Sequence, residues 1–352
     1  MVSVTKKIII TGAGGPAGIN FVRSIKEAPE KISIICVDAN KYHLVWLDVE
    51  KKYKVPRYDA ANYIDSINTI IEETEANLIH PQPDGEVKLL SENRHRLKAK
   101  TFLPNKKTIE ICQDKHLSSL AWKKEGLIES EPLVIESEED AAKASELFGY
   151  PYWIRASVGF SARGSTLIEN SETAKHWIGY WKSRGIGWKF IAQKYFGGRN
   201  IAFQSLWLDG EVVVSQARER IEYLYPYLSP SGITNTPVVA VTISDKKVNE
   251  MATKAVRSID SHATGVFCID LREDEKRNPK PTEINAGRFF TTSYFFTAAG
   301  VNMPYYYLSL AYGEELPDLP QYNILPEGLY WIRHIDAPAV LVKENQWSYF
   351  EI

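Results

Sequence analysis

A chain of 352 residues exceeds the ~250–300 at which a single hydrophobic core stops growing, so two or three packed subdomains are expected. Its 44% hydrophobic, 24% charged and 12% aromatic content is that of a soluble globular protein and excludes long disorder. Forty-two basic against forty-four acidic residues leave a net charge of −2, so no global field recruits nucleic acid or anionic lipid, and neither is expected as a partner.

The opening MVSVTKKIIITGAGG carries an apolar run too short for a signal segment, and no later stretch approaches the ~18 apolar residues of a membrane span; the cytoplasm is the expected location. The chain then reads as a βαβ series: a strand at Ile8 to Thr11, a glycine turn, a helix from about Pro16 to Ile25 and a strand at Ile32 to Val37. An amphipathic helix in YIDSINTIIEETEAN, a strand at Leu78 to His80, a helix in GEVKLLSENRHRLKA and a strand at Thr101 to Leu103 follow. Residues 1 to about 110 are thus expected to form an open, mostly parallel sheet with helices on both faces. From Asp114 the pattern changes to a helix in KHLSSLAWKKEG and a second in ESEEDAAKASELFG, where Ser137 with Asp140 has the form of a capping box. Strand candidates YPYWIRAS and GSTLIEN flank a Gly/Ser-rich connection before a Trp-rich helix around Thr173 to Lys182. Residues 190 to 215 and 264 to 285 read as strands, 288 to 313 as helix, and the end from about Asn323 as a strand or two packed on the rest. The aromatic segments WIGYWKSRGIGWKF, YLYPY and SYFFT read as core or as the lining of a pocket.

Cys36, Cys112 and Cys268 have no metal-ligand or disulfide spacing and are expected as buried thiols. Seven histidines, His80, His116 and His262 among them, show no triad or metal spacing.

Four places carry chemistry. TGAGGPAG sets Gly12, Gly14 and Ala17 on a G-x-G-x-x-G/A spacing between strand and helix, with Asp38 ending the next strand; a dinucleotide site and a plain tight turn both fit. Lys115, in Gln113-Asp114-Lys115 at a helix start, can reach a phosphate or simply be solvated. In IRASVGFSARGS, strand-borne Arg155 precedes Ser157, Gly159, Ser161, Arg163 and Gly164; small residues let such a loop fold its amides over a polyphosphate, although a surface hairpin has the same composition. GVFCIDLREDEKRNPKPTEINAGR reads as two neighbouring strands, with Glu283 and Asn285 on one face and Asp270 brought beside them, a donor set suited to Mg²⁺.

Together with PQPDGEVKLL, QDKHLSSL, FIAQKYFGGRN and EINAGRFFTTSYFFTAAGVNMP, this order of motifs resembles the ATP-grasp superfamily, most closely single-module proteins similar to one half of the carbamoyl-phosphate synthase large subunit. The resemblance covers nearly the whole chain. It implies an α/β fold: a Rossmann-like pre-ATP-grasp domain (1–112), then a two-lobed α+β ATP-grasp module with a lid (113–190) and a metal-bearing subdomain (191–322), and an extension (323–352).

The resemblance also implies roles. Lys115 and Arg155 would contact ATP phosphates under the loop from Ser157 to Gly164, including Gly159, Ser161 and Arg163. Gln193, Lys194, Tyr195 and Phe196 would form the adenine hinge, with Asn200 near the ribose. Asp270, Glu283 and Asn285 would hold one or two Mg²⁺, with Mn²⁺ able to substitute. Arg288, with Arg218 or Arg220, would stabilise an acyl-phosphate and the tetrahedral intermediate after it. Gly14, Gly15, Asp84 and Glu86 would face the substrate, so the glycine turn need not hold NAD. Arg155 stands for a commoner lysine, Arg163 for glycine, Lys194 and Asn200 for glutamates, and EINAGR has one residue more than the usual motif.

The implied activity is ATP-dependent ligation of a carboxylate to an amine, or to a thiol, through an acyl-phosphate, releasing ADP and phosphate; the partners are small carboxylates and amines, and a homodimer is possible by analogy. Bicarbonate-using carboxy-phosphate chemistry is the close alternative. A nucleotide-binding protein without turnover is the alternative of another class.

Overall fold

The computed structural model describes residues 5–158, 164–185, 188–229, 232, 236–335 and 340–343. It opens on five parallel strands, β1 (Lys7–Thr11), β2 (Ser33–Asp38), β3 (Lys51–Lys54), β4 (Leu78–Pro81) and β5 (Lys100–Thr101), in the order β3-β2-β1-β4-β5. Helices α1 (Pro16–Lys26), α2 (Tyr63–Thr74) and α3 (Asp84–Glu92) carry the crossovers. Ile8, Ile9 and Ile10 are all fully buried, as a central parallel strand requires when both faces are covered. Ile9 packs in one cluster with Ile67 and Ile71 of α2 and Leu90 of α3, while Ile8 and Ile10 point the other way, toward Phe21 and Ile25 of α1. Each such side chain contributes roughly 1.5–3 kcal/mol by leaving water.

Helices α4 (Lys106–Gln113) and α5 (Lys115–Lys124) lead out of this sheet. Asn105 caps α4 by accepting from the Thr108 amide, and Asp114 caps α5 by accepting from the His116 and Leu117 amides. A four-stranded antiparallel sheet follows, built from β6 (Leu133–Ile135), β7 (Tyr152–Ala156), β8 (Thr166–Ile168) and β9 (Phe190–Lys194) in the order β6-β9-β7-β8. Helices α6 (Glu138–Phe148) and α7 (Ser171–Ser183) pack on it around Tyr152, Ile154 and Ile178. The capping box of α6 is present: Ser137 Oγ accepts from the Asp140 amide, and the Asp140 carboxylate accepts from the Ser137 amide.

The remainder is a seven-stranded antiparallel sheet. It comprises β10 (Asn200–Leu208), β11 (Glu211–Tyr223), β12 (Pro237–Ile243), β13 (Gly265–Glu273), β14 (Pro279–Ala286), β15 (Leu329–Ile332) and β16 (Val340–Lys343), in the order β14-β13-β10-β11-β12-β15-β16. Helix α8 (Lys246–Arg257) packs beside it, and α9 (Tyr294–Ala298) and α10 (Met303–Tyr312) cross back to α1. Phe295, Phe296 and Tyr307 from these last helices share a buried cluster with Ile8, Ile10 and Phe21, so the chain's later part covers the second face of its first sheet.

The mixed α/β architecture is the expected one, with local differences. Strand β3 (KKYK) and helix α4 (KKTIEICQ) are additions to the expected elements: β3 is three lysines and a tyrosine, and α4, which buries Thr108, Ile109 and Cys112, is only two turns long. The expected strand at Thr101 to Leu103 pairs only over Lys100–Thr101, and the helix in GEVKLLSENRHRLKA ends at Glu92 before a short 3₁₀ turn at Arg94–Arg96. The expected helix over 288 to 313 begins only at Tyr294 and is broken between Ala299 and Asn302, where Gly300 holds φ +96; α10 restarts with Asn302 accepting from the Tyr305 amide and Pro304 in its first turn. The terminal strands prove to be β15 and β16, at the edge of the large sheet; residues 344–352 lie outside the described residues.

Candidate active site

A cavity of about 490 Å³ is lined by strands of both antiparallel sheets and by the segments that follow β1 and β4 of the parallel sheet. Seven cationic side chains against four carboxylates line it among the described residues, so its field favours an anion.

The most charged face is built on β13 and β14. Antiparallel register sets Asp270 directly opposite Glu283, and alternation along β14 returns Asn285 to the same face. Arg220 Nη2 lies 2.7 Å from Asp270 Oδ1. Lys115 Nζ stands 3.6 Å from Glu283 and Arg155 Nη1 3.8 Å from it. Arg155 is fixed by Gln193 Oε1, which accepts from its Nε and Nη2 at 3.0 and 2.7 Å, and by the Thr282 carbonyl at 2.5 Å. Gln193 in turn donates to Ser119 Oγ at 2.8 Å. Arg288 forks onto the Asp84 carboxylate through Nε and Nη2, and its Nη2 also donates to Asn285 Oδ1 at 2.6 Å. Burial pushes the Asp270 carboxyl above its ordinary range against the pull of Arg220, and the neighbouring Glu283 charge adds to the rise. Burial acts on Glu283 in the same sense, but Lys115 and Arg155 outweigh it and hold this carboxyl down. The two acids are thus balanced by cationic side chains of the chain itself.

At one end the wall is apolar and aromatic. Ile128, Trp153, Tyr195 and Phe196 line it, with the Trp153 and Tyr195 rings stacked at 6.3 Å between centroids. Lys194 turns to Glu129, 3.4 Å away. Asn200 donates to the Tyr223 hydroxyl and accepts from Arg220 Nη1 at 3.4 Å.

Gly15 and Asp84 line the cavity, whereas Gly14 and Glu86 do not. The Gly14 amide donates to Asp38 Oδ2 at 3.1 Å, and Asp38 Oδ1 accepts from the Asn40 amide at 2.8 Å, so this carboxylate ties the turn together rather than standing free as a ribose acceptor. Gly12 holds φ +56 with Pro83 so close that a Cβ would fall 2.2 Å from its ring, which only glycine tolerates. Glu86 is buried beneath this turn and accepts from Thr11 Oγ1.

Burial, reinforced by Asp38, raises the Glu86 carboxyl from 4.5 to about 7. Because the folded state holds its proton longer than the unfolded chain, stability falls as pH rises between those two values, by about 3 kcal/mol if the whole displacement is realised. Glu86→Gln keeps an acceptor for Thr11 and removes this penalty. Thermal unfolding is expected to show the variant level with wild type near pH 4 and several degrees more stable at pH 8; an equal gap at both pH values would remove Glu86 as the cause.

Ser157 lies off the cavity wall; its Oγ donates to Asp114 Oδ1 at 2.6 Å and its carbonyl accepts from the Lys115 amide at 2.9 Å, anchoring the near end of the loop to α5. Gly159, Ser161 and Arg163 lie outside the described residues. Lys115, Arg155, Gln193, Lys194, Tyr195, Phe196, Asn200, Arg218, Arg220, Asp270, Glu283, Asn285 and Arg288 all line the one cavity. Tyr58, Ile128, Trp153, Tyr223, Arg272 and Thr292 join them without having been singled out from the sequence. Arg272 was findable, two residues beyond Asp270 on the same strand face; the others come from segments with no motif.

The three cysteines are buried and unpaired. His80 is buried and stacks on Phe21 with centroids 4.2 Å apart, and burial lowers its pKa to about 3. Among the described residues no helix is long and apolar enough to cross a membrane. No group of three or more His, Cys, Asp or Glu among them could hold a metal, leaving the two carboxylates and amide of β13 and β14 as the candidate donor set.

Residues 8–103 match the family described as PylC-like, N-terminal domain, and residues 114–318 match carbamoyl-phosphate synthase L chain, ATP binding domain. The chain is 22% identical over 338 residues to biotin carboxylase from Halalkalibacterium halodurans, covering 89% of this chain and 71% of that one. It is 24% identical over 229 residues to the carbamoyl phosphate synthase large chain of Clostridium acetobutylicum, covering 62% of this chain but only 21% of that protein, so it spans about a fifth of that relative's length. The structure of L-amino acid ligase from Bacillus licheniformis shares the fold, with a TM-score of 0.71 and 13% identity over 94% of this chain and 79% of that one. Since the match to the ATP-binding domain alone takes in more than half of the residues, the chain belongs to that family and is an ATP-dependent enzyme of the ATP-grasp superfamily.

Proposed function

We propose that this enzyme uses Mg-ATP to phosphorylate a carboxylate and passes the acyl-phosphate to an amine, releasing ADP and phosphate. The observation that carries the reading is the face made by Asp270, Glu283 and Asn285 among Lys115, Arg155, Arg220 and Arg288, in a cavity with an aromatic slot at one end. Ile128, Trp153, Tyr195 and Phe196 suit a purine, with Gln193 and Lys194 at its edge and Asn200 beside the sugar. Lys115 and Arg155 would take the phosphates, with Gly159, Ser161 and Arg163 as further phosphate-binding candidates.

Two carboxylates and an amide oxygen fit Mg²⁺, which takes one or two carboxylates together with nucleotide phosphates, so Asp270, Glu283 and Asn285 would hold one or two ions, with Mn²⁺ able to substitute. Such ions, when bound, supply charge neutralisation at the phosphates. The chain's own part is positioning and electrostatics. A carboxylate oxygen attacks the γ-phosphorus and ADP leaves; the amine nitrogen then attacks the carbonyl carbon, phosphate leaves, and the nitrogen loses its proton. Arg220 and Arg288 are placed to stabilise charge on the transferring group, and closure of the segment 113–190 over residues 191–322 would exclude water from the acyl-phosphate. In this reading 1–112 carries one wall of the substrate site, and β15 and β16 extend the large sheet at its edge.

The test is ADP and phosphate release from Mg-ATP against a panel of carboxylic acids and amines, bicarbonate included, with hydroxylamine added to trap the acyl-phosphate as a hydroxamate. Carboxylate-dependent ADP release with hydroxamate formation is the expected result. Release with bicarbonate alone would favour carboxy-phosphate chemistry. Tight Mg-ATP binding without turnover on any acid would leave a binding protein as the better reading.

A further inference from the structure

Two arginines on β11 face the same cavity in opposite electrostatic circumstances. Arg220 is matched, with Asp270 on one side and Asn200 on the other. Arg218 is 1% exposed, and no carboxylate among the described residues lies within ion-pair distance of it. Its one hydrogen bond is long, from Nη1 to the Thr292 carbonyl at 3.4 Å, and its Nε and Nη2 have no partner. Those two nitrogens form the edge of a guanidinium that donates two parallel bonds to a planar anion. Arg288, in the same cavity, uses that same pair to grip Asp84. Arg218 therefore presents a complete, unused fork.

Its surroundings extend the pattern. Thr292 lines the cavity, is 1% exposed, and its Oγ1 has no partner. The first turn of α1, from Pro16 to Gly18, lines the same cavity, and Gly15 at its N-cap provides no side chain to satisfy the turn's amides. Helix α1 is held against this segment by Asn20, whose Nδ2 donates to the Thr291 carbonyl at 2.5 Å. Arg333, just beyond β15, donates from Nη1 to that carbonyl at 3.3 Å and from Nη2 to Thr291 Oγ1 at 3.4 Å, adding a half-buried positive charge nearby. The faces of Phe290 and Phe296 lie 5.2 and 5.1 Å from the Arg218 guanidinium, which keeps water away but offers no counter-ion. Burial, and then Arg220, pull the Arg218 pKa down to about 9, the response of a cation left without an anion.

The geometry points to a second carboxylate site: Arg218, Thr292 and the N-terminus of α1 bind a substrate carboxylate that is not itself phosphorylated, so that one of the two organic substrates is an amino acid or a dicarboxylate. The inference rests on the ligase reading of the cavity and divides its two ends, with Arg220 and Arg288 serving the reacting group and Arg218 the spectator. A buried guanidinium with two unused donors costs stability, and a ligand carboxylate that fills it recovers this. A neutral amide of the same shape cannot, because its NH₂ would face a donor.

Thermal unfolding in saturating Mg-ADP tests this on the intact chain, with acetate, glycine and succinate at about 50 mM compared with acetamide, glycinamide and succinamide, and ionic strength matched by chloride. At least one carboxylate is expected to raise the midpoint by about 1–3 °C while its amide does not. Arg218→Met, which removes an unpaired buried cation, is expected to fold with an unchanged or higher midpoint and to lose the carboxylate response; Thr292→Val, a nearly isosteric change, is expected to weaken it several-fold. No response to any carboxylate, or a response that survives Arg218→Met, would overturn the assignment. A larger response to inorganic phosphate than to any carboxylate would also overturn it and assign the fork to a phosphate ester. The Mg-ADP shift, measured separately, keeps the two readings apart. If Mg-ADP stabilises and carboxylates do not, only the second site fails; if Mg-ADP does not stabilise, the ligase reading fails with it.

Discussion

Glu283→Gln is expected to lower ADP release by at least ~10³-fold, about 4 kcal/mol of transition-state stabilisation, while leaving the fold intact. The substitution keeps the side chain's shape and removes only its charge. Glu283 balances Lys115 and Arg155, and without it those cations and Arg220 face Asp270 alone. If this face holds the metal-bound phosphates, a neutral amide in place of the better-ionised carboxylate removes the stronger of the two anionic ligands, and the nucleotide loses its register against the acceptor. The fold should tolerate the change because Arg155 keeps its bonds to Gln193 and to the Thr282 carbonyl, and because Glu283 lies beyond hydrogen-bond distance of both cations. Steady-state ADP release and a melting curve on the same preparation check both halves. A loss below tenfold with an unchanged melting curve would remove Glu283 from the phosphate chemistry.

The second large effect is expected from Arg288→Lys, a loss of about 10²-fold in kcat with KM for ATP changed less than about threefold. Charge is conserved, so the variant isolates geometry. Arg288 joins two separately built parts: its fork holds Asp84, the first residue of α3 beside the parallel sheet, while the same guanidinium reaches Asn285 on β14. An ammonium can donate to one of these carboxyl or amide oxygens well but lacks the planar pair of bonds. The expected consequence is an Asp84 free to reorient and an Asn285 no longer steered, which disturbs the acceptor side while the base slot at Ile128 and Phe196 is untouched. Separate determination of kcat and KM for ATP and for the acceptor decides it, and an equal loss in ATP affinity would place Arg288 on the nucleotide instead.

The fold was legible where periodicity was strong. Ile8 to Ile10, the apolar stripe of α2 and the apolar strands of 190–215 announce themselves, whereas Lys51–Lys54 is a short polar strand ordered by pairing with β2, and Lys106–Gln113 is a two-turn helix too short to show a periodicity. The position of Asp270 opposite Glu283 followed from two strands and a turn. The difference between Arg218 and Arg220 could not follow: alternation gives them one face, and only the partners brought from β10, β13 and the Thr291–Thr292 segment make one matched and the other not. Arg333 was invisible for the same reason, since it acts through residues about forty positions earlier in the chain.

The covering of the first sheet by α9 and α10 has a consequence for how the protein is made. Ile8, Ile10 and Phe21 leave the ribosome early, but Phe295, Phe296 and Tyr307, which shield them, are synthesised roughly 280 residues later, a delay of about 15–60 s at ordinary elongation rates. During that interval the nascent amino-terminal segment carries a sticky, half-finished layer, and its protection from association with other chains has to come from chaperones or from the pace of translation itself.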